Sequence, residues 1–108
     1  MKKIKEFFNR EQNLLIHICA TVVVTIFGII FKLKLYEWLL VYSMVTLVIT
    51  SELINSAIEL TVDLYTKKFH PLAMVAKDVA AAAVVTSAFT AICVGLYVFL
   101  PKFIGLIN

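Results

Sequence analysis

The sequence contains little of what a small soluble protein needs. Only 16% of its 108 residues are charged and 62% are apolar, whereas soluble domains carry about 25% charged and about 45–50% apolar residues. A small soluble core could not bury this much hydrocarbon. The composition and a mean hydropathy of +0.98 therefore predict an integral membrane protein. Its basic residues are scattered along the chain, so we expect no nucleic-acid partner.

Glycine, proline and cysteine are also scarce, at three, two and two residues. The sequence contains neither the Walker glycine loop nor the glycine-rich loop of protein kinases, which hold nucleotide phosphates in many proteins. Cys19 and Cys93 lie inside apolar runs without disulfide or metal-ligand spacing, so we interpret them as small packing residues.

Three long apolar stretches remain, and each predicts a membrane-spanning helix, because a span needs about 20 residues to cross about 30 Å of hydrocarbon. We expect spans over residues 14–33, 37–65 and 71–100. Pro71 suits the first turn of the third helix, and Pro101 is expected to end it. Residues 1–108 are expected to form a single domain, with a short interfacial segment before the first span.

The lysines and arginines are distributed asymmetrically between the two sides of these spans. One side carries seven, which are Lys2, Lys3, Lys5, Arg10, Lys67, Lys68 and Lys77. The other side carries Lys32, Lys34 and Lys102. Because positive charge favours the cytoplasmic side, we expect a multi-pass protein with its N-terminus and second loop in the cytoplasm.

Polar residues interrupt the second span in the stretch SELINSAIELTVD. Glu52, Asn55, Ser56, Glu59 and Asp63 fall within about 100° of a helix circumference, so they share one face. That face should point away from lipid, because an ionised carboxylate there costs several kcal/mol. Asn55 and Ser56 could equally join helices by hydrogen bonds, and Asp63 could be a helix-end charge. The pair Glu52 and Glu59 suits metal binding or proton transfer.

Further ionisable residues are expected at the same end of the bundle: Glu11, His17, His70, Lys77 and Asp78. Carboxylates with few histidines suit Mg²⁺ better than zinc. Carboxylates, Mg²⁺ and lysines together can hold the phosphates of a nucleotide. For single residues other interpretations stay open. Lys77 could form a plain ion pair, and His17 could cap or pair with an acid or be an ordinary interior histidine.

Three sequence blocks carry a resemblance to a known family: ELINSAIE at residues 52–59, His-Pro at 70–71 and AKDVAA at 76–81. In this order they resemble the small prokaryotic diacylglycerol kinases, and more closely the undecaprenol kinase branch. The resemblance implies an all-α homotrimer of three-span subunits in the bacterial cell membrane. It also implies transfer of the ATP γ-phosphate to a lipid hydroxyl with Mg²⁺, with undecaprenol as the expected substrate and diacylglycerol as the alternative.

The resemblance also implies a role for each matching position. Glu52 would be the general base that faces the lipid hydroxyl, and Asn55 would support it. Glu11 and Glu59 would hold Mg²⁺ and, with it, the nucleotide. Further nucleotide contacts are implied for Lys68, His70, Lys77 and Asp78, and a lipid contact for Ala81.

A different class of function also fits the buried acids. They could form the proton relay of a small oligomeric proton-coupled transporter or channel. The clustering of polar groups at one end of the bundle disfavours this alternative, because a transport pathway should continue to the other side. An inactive membrane adaptor is a third possibility.

Overall fold

The computed structural model of the protein describes residues 12–108, and Glu11 and the expected N-terminal interfacial segment lie outside them. The described residues form three helices, α1 (Gln12–Ile30), α2 (Leu35–Tyr65) and α3 (Pro71–Ile107). All three are long and apolar enough to cross a membrane, with mean hydropathies of 2.3, 1.5 and 2.1. This confirms the prediction of an all-α protein with three candidate spans.

Helix α1 ends at Ile30, earlier than the expected residue 33. Lys32 adopts a left-handed conformation with φ of 54°. The amide of Leu33 donates to the carbonyl of Gly28 at 3.1 Å, and that of Lys32 donates to Ile29 at 3.2 Å. These two hydrogen bonds form the Schellman motif, which usually has glycine at the left-handed position. The sequence therefore gave no local signal for this helix end.

Helix α2 begins at Leu35, two residues before the expected start. The backbone N–H of Lys34 donates to Oε1 of Glu37 at 3.0 Å, which satisfies a donor at the helix N-terminus. A glutamate in the first turn also complements the positive end of the helix dipole. Glu37 consequently belongs to the helix rather than to the loop.

The expectation that Pro101 ends α3 is wrong, because the helix continues through it to Ile107. Proline costs a helix about 3 kcal/mol by removing one hydrogen bond and crowding the preceding turn. Contacts beyond the proline offset this cost. Nζ of Lys102 lies 3.0 Å from Oε2 of Glu37 on α2, and the rings of Phe103 and Phe31 meet edge to face with centroids 4.9 Å apart.

Helix α2 is the central helix, and polar contacts set its antiparallel register on α3. From the second loop toward the first, the pairs are Asp63–Lys77 at 2.7 Å, Ser51–Ser87 at 2.8 Å and Glu37–Lys102 at 3.0 Å. The two ion pairs are 26 residues apart on α2, or about 39 Å at 1.5 Å per residue. This separation is close to the about 40–45 Å of a bilayer with its headgroups.

Helix α1 packs on α2 near the first loop, residues 31–34. The ring of Trp38 occupies the space that a Cβ atom on Gly28 would need. Trp38 stacks on Tyr42 with centroids 5.5 Å apart, and Tyr42 Oη lies 2.6 Å from Thr25 Oγ1. Within residues 12–108, the backbones of α1 and α3 make no close approach. Near the first loop, Phe103 of α3 contacts Phe27 of α1, and Phe99 and Phe103 both contact Phe31. A groove remains between the two helices.

Candidate active site

The polar stripe of α2 faces the interior of the bundle, as its spacing predicted. Glu52 is 2% exposed, Asn55 8% and Ser56 1%. Glu59 and Asp63, closer to the second loop, are half-buried. The stripe therefore begins deep within the bundle and opens toward the loop of residues 66–70.

Glu52 is the deepest acid of the stripe, and it approaches a histidine of the neighbouring helix. Nε2 of His17 on α1 lies 3.7 Å from Oε2 of Glu52. Glu52 is eleven residues from Asp63, which is about 16 Å along the helix axis. An almost fully buried carboxylate needs a polar or charged neighbour in such surroundings, and His17 supplies one from a different helix.

Asn55 orients the second glutamate of the stripe. Its Nδ2 atom donates a hydrogen bond to Oε1 of Glu59, one turn further along α2, at 3.2 Å. Within the described residues, Oδ1 of Asn55 and Oγ of Ser56 are buried without a hydrogen-bond partner. A buried acceptor without a partner costs about 1–3 kcal/mol, so Oδ1 of Asn55 is a ready acceptor or ligand beside the Glu59 carboxylate.

Lys77 contacts the last acid of the stripe. Its Nζ atom donates to Oδ1 of Asp63 at 2.7 Å, and the lysine side chain keeps 39% of its surface exposed. The neighbouring Asp78 is exposed on α3. Lys77 thus keeps room for a further anion while Asp63 fixes its position.

The second loop forms a cationic recess beside this ion pair. Nδ1 of His70 accepts a hydrogen bond from the backbone N–H of Leu72 at 3.2 Å and so caps α3. Pro71 follows as the first helical residue, as predicted. Lys68, His70 and Lys77 are among the residues that line a cavity of about 220 Å³ there. Lys67 lines it as well, and four basic side chains around one recess can bind an anion.

A larger apolar cavity of about 400 Å³ lies between the three helices. His17 lines it at one end, so the cavity leads to the place where His17 and Glu52 meet. The cavity walls are otherwise almost entirely aliphatic and aromatic. Along α2, from the first loop toward the second, the bundle therefore contains the apolar cavity, the buried Glu52 carboxylate and the cationic recess.

Comparison with known proteins identifies the family. Residues 1–99 match the family described as prokaryotic diacylglycerol kinase. The chain belongs to this family. It is 44% identical over 92 residues to the undecaprenol kinase of Bacillus subtilis strain 168, covering 85% of this chain and 75% of that one. It is 34% identical over 100 residues to the diacylglycerol kinase of Synechocystis sp. strain PCC 6803, covering 92% of this chain and 57% of the relative.

These matches confirm the family resemblance and the prediction of an ATP-dependent lipid kinase. They give no support to the transporter or adaptor alternatives. No solved structure gave a significant match.

In this member of the prokaryotic diacylglycerol kinase family, Glu52 and Glu59 are seven residues apart on α2, or about 10 Å along the helix axis. This separation is compatible with different roles for the two carboxylates. Within residues 12–108, no three His, Cys, Asp or Glu side chains converge. Glu11, the other expected ligand, lies outside the described residues, and Ala81 is exposed on α3.

Two contacts were only partly predicted or not predicted. The structure supports the interpretation that His17 pairs with an acid, but the spacing of α2 could not identify Glu52 as that acid. Ser51 and Ser87 were not predicted at all, yet their hydroxyls bond at 2.8 Å and link α2 to α3 one residue before Glu52.

Proposed function

We propose that this chain phosphorylates a lipid alcohol within the membrane, with undecaprenol preferred over diacylglycerol, by transfer of the γ-phosphate of ATP. The observation that carries the proposal is the buried Glu52 between an apolar cavity and a cationic recess. The preference for undecaprenol rests on the 44% identity to a protein of that name, against 34% to a diacylglycerol kinase.

In this mechanism Glu52 is the general base. The lipid hydroxyl donates its proton to the Glu52 carboxylate while its oxygen attacks the γ-phosphorus of ATP. The bond from that phosphorus to the β–γ bridging oxygen breaks, and ADP leaves with the electron pair. The products are the lipid phosphate and ADP. His17, 3.7 Å from the carboxylate, orients Glu52 and offers a base for the released proton.

The nucleotide is proposed to bind at the second-loop end of the bundle. Lys68, His70 and Lys77 offer cationic and hydrogen-bonding groups for its phosphates, and Lys77 is already held by Asp63. Asp78 is proposed as a further nucleotide contact from the first turns of α3. Because kinases work mainly by positioning and charge stabilisation, these fixed charges would supply much of the rate.

Mg²⁺ is proposed to accompany the nucleotide through Glu59 and Glu11. The residues present fit such an ion, since the Glu59 carboxylate and the unpartnered Asn55 Oδ1 are the hard oxygen donors that magnesium prefers. When bound, the ion would neutralise charge on the transferring phosphate. Asn55 would keep Glu59 in place through its amide N–H.

A homotrimer is proposed as the working form. Only 11% of the residues in the apolar windows of α1 and α3 are buried within one subunit, so wide faces remain for lipid or for other copies. A cavity that is open between α1 and α3 would also be better enclosed by a neighbour. Ala81, on the exposed surface of α3, is proposed as a lipid contact in that assembly.

The proposed orientation puts the N-terminus and the second loop in the cytoplasm of a bacterial cell. The charge asymmetry of the loops supports this orientation. ATP is available on that side, and the recess of Lys68, His70 and Lys77 lies there. The Glu37–Lys102 ion pair would then lie at the outer headgroup layer.

The direct test uses the purified full chain in detergent or nanodiscs with ATP, Mg²⁺ and equal amounts of undecaprenol and diacylglycerol. We expect ADP and lipid phosphate to form in equal amounts, with undecaprenol phosphate in excess. Release of ADP without lipid phosphate, or an ion flux into liposomes without ATP, would contradict the proposal.

A further inference from the structure

The apolar cavity between the helices is a groove with a polar end at His17. Helix α2 forms its floor with residues that include Val41 and Val48, and its volume of about 400 Å³ lies in the usual range for ligand sites of about 300–1,000 Å³. Phe99 lines it near the first loop and meets Phe31 at a centroid distance of 6.3 Å. The opposite end reaches His17.

Gly95 on α3 lines this groove and explains why it is open. A Cβ atom built at Gly95 would have no other atom within 4 Å. No atom of the described chain packs against this position, so close packing within one subunit does not account for the glycine. The missing side chain instead keeps the groove unobstructed between its polar end and Phe99.

The distance between Gly95 and the level of the proposed general base, Glu52, can be estimated along the axis of α3. Ser87 marks the level of Glu52 on α3, because its hydroxyl bonds to Ser51. Gly95 is eight residues beyond Ser87 toward the first loop, or about 12 Å along the axis. A chain whose hydroxyl sits at Glu52 would have to pass Gly95 if it is longer than this distance.

We propose that the groove receives the hydrocarbon chain of the lipid alcohol, and that Gly95 is the residue that admits chains longer than this separation. This inference rests on the proposed function and deepens it by naming where the hydrocarbon chain of the substrate lies. The apolar walls suit hydrocarbon. Among the described residues, His17 is the one ionisable side chain on the lining, at the end where the hydroxyl would lie. The groove is lined by residues of all three helices, from His17 at one end to Phe99 near the first loop.

The test compares Gly95→Trp with Gly105→Trp, using undecaprenol and geraniol, a prenol short enough to end before Gly95. Gly105 is a matched control because it lies in the same helix, is exposed and also has no atom within 4 Å of an added Cβ. We expect Gly95→Trp to lower kcat/KM for undecaprenol about tenfold, mainly through KM, and to leave geraniol within about twofold of wild type. Gly105→Trp should change neither.

Three results would overturn the inference while leaving the kinase proposal intact. They are an equal loss for both alcohols in Gly95→Trp, no loss for undecaprenol, and a change in oligomer mass specific to Gly95→Trp. The last would mean that a second copy of the chain occupies the groove. If Gly95→Trp does not fold, Gly95→Leu serves in its place, because it adds less bulk at the same position.

A binding measurement separates this inference from catalysis. In a background with Cys19→Ala and Cys93→Ala, Gly95→Cys is labelled with a maleimide without ATP. Undecaprenol should slow its labelling at least about threefold relative to labelling of Gly105→Cys. Equal rates with and without undecaprenol at both positions would overturn the groove assignment. If undecaprenol protects Gly95→Cys from labelling but wild type phosphorylates no lipid, only the proposed function would be contradicted.

Discussion

Nε2 of His17 on α1 lies 3.7 Å from Oε2 of Glu52 on α2, where the carboxylate is 2% exposed. The histidine is the more accessible partner, with 25% of its side chain exposed, and it lines the apolar groove. A substrate hydroxyl that reaches Glu52 through the groove must therefore pass His17. This contact links helix α1 to the proposed reaction centre.

His17→Gln should reduce catalysis without preventing ATP binding. Glutamine keeps a hydrogen-bonding side chain but can neither accept a proton nor carry positive charge beside Glu52. We expect kcat to fall about tenfold, with KM for ATP unchanged. A kcat equal to that of wild type would show that His17 is only a packing residue.

Lys77→Ala should weaken nucleotide binding. The lysine ammonium is held by Asp63 at 2.7 Å beside the cationic recess, and its loss removes one charge-assisted contact to phosphate. We expect KM for ATP to rise about tenfold, since hydrogen bonds to charged groups contribute about 1.5–3 kcal/mol. Lys102→Ala is the matched control, because it breaks the ion pair with Glu37 at the opposite end of the bundle. Steady-state kinetics should give equal KM values for that control and wild type; an equal rise in both variants would contradict the assignment.

Gly28→Ala should destabilise the packing of α1 on α2. An added methyl group would collide with the Trp38 ring, and overpacking of this kind costs about 1–3 kcal/mol. Thermal unfolding in detergent should give a lower Tm than wild type. Gly105→Ala adds the same methyl group into open space on an exposed part of α3, and its Tm should equal or exceed that of wild type. A similar Tm for both variants would mean that Trp38 moves aside without cost.

The sequence predicted those features that depend on local pattern. Long apolar runs predicted three helices, and the 3.6-residue period correctly put Glu52 and Asn55 on the buried face of α2. Pro71 marked the first turn of α3 because a missing N–H is harmless there.

Features that depend on distant contacts could not be predicted in this way. Proline usually ends a helix, but α3 continues through Pro101 because Lys102 and Phe103 contact residues far away in sequence. The end of α1 requires a left-handed lysine at a position where glycine is usual. The contact between His17 and Glu52 depends on how α1 packs against α2, which helical periodicity leaves undetermined.

The role of Glu52 as general base is the central claim, and Glu52→Gln tests it most directly. Glutamine keeps the size of the side chain but cannot accept the proton of the lipid hydroxyl. We predict that lipid phosphate formation falls by about 10²–10⁴, while ATP binds with the Kd of wild type. Glu37→Gln, at the other end of α2, should retain activity on undecaprenol. Lipid phosphorylation by Glu52→Gln at close to the wild-type rate would contradict the account.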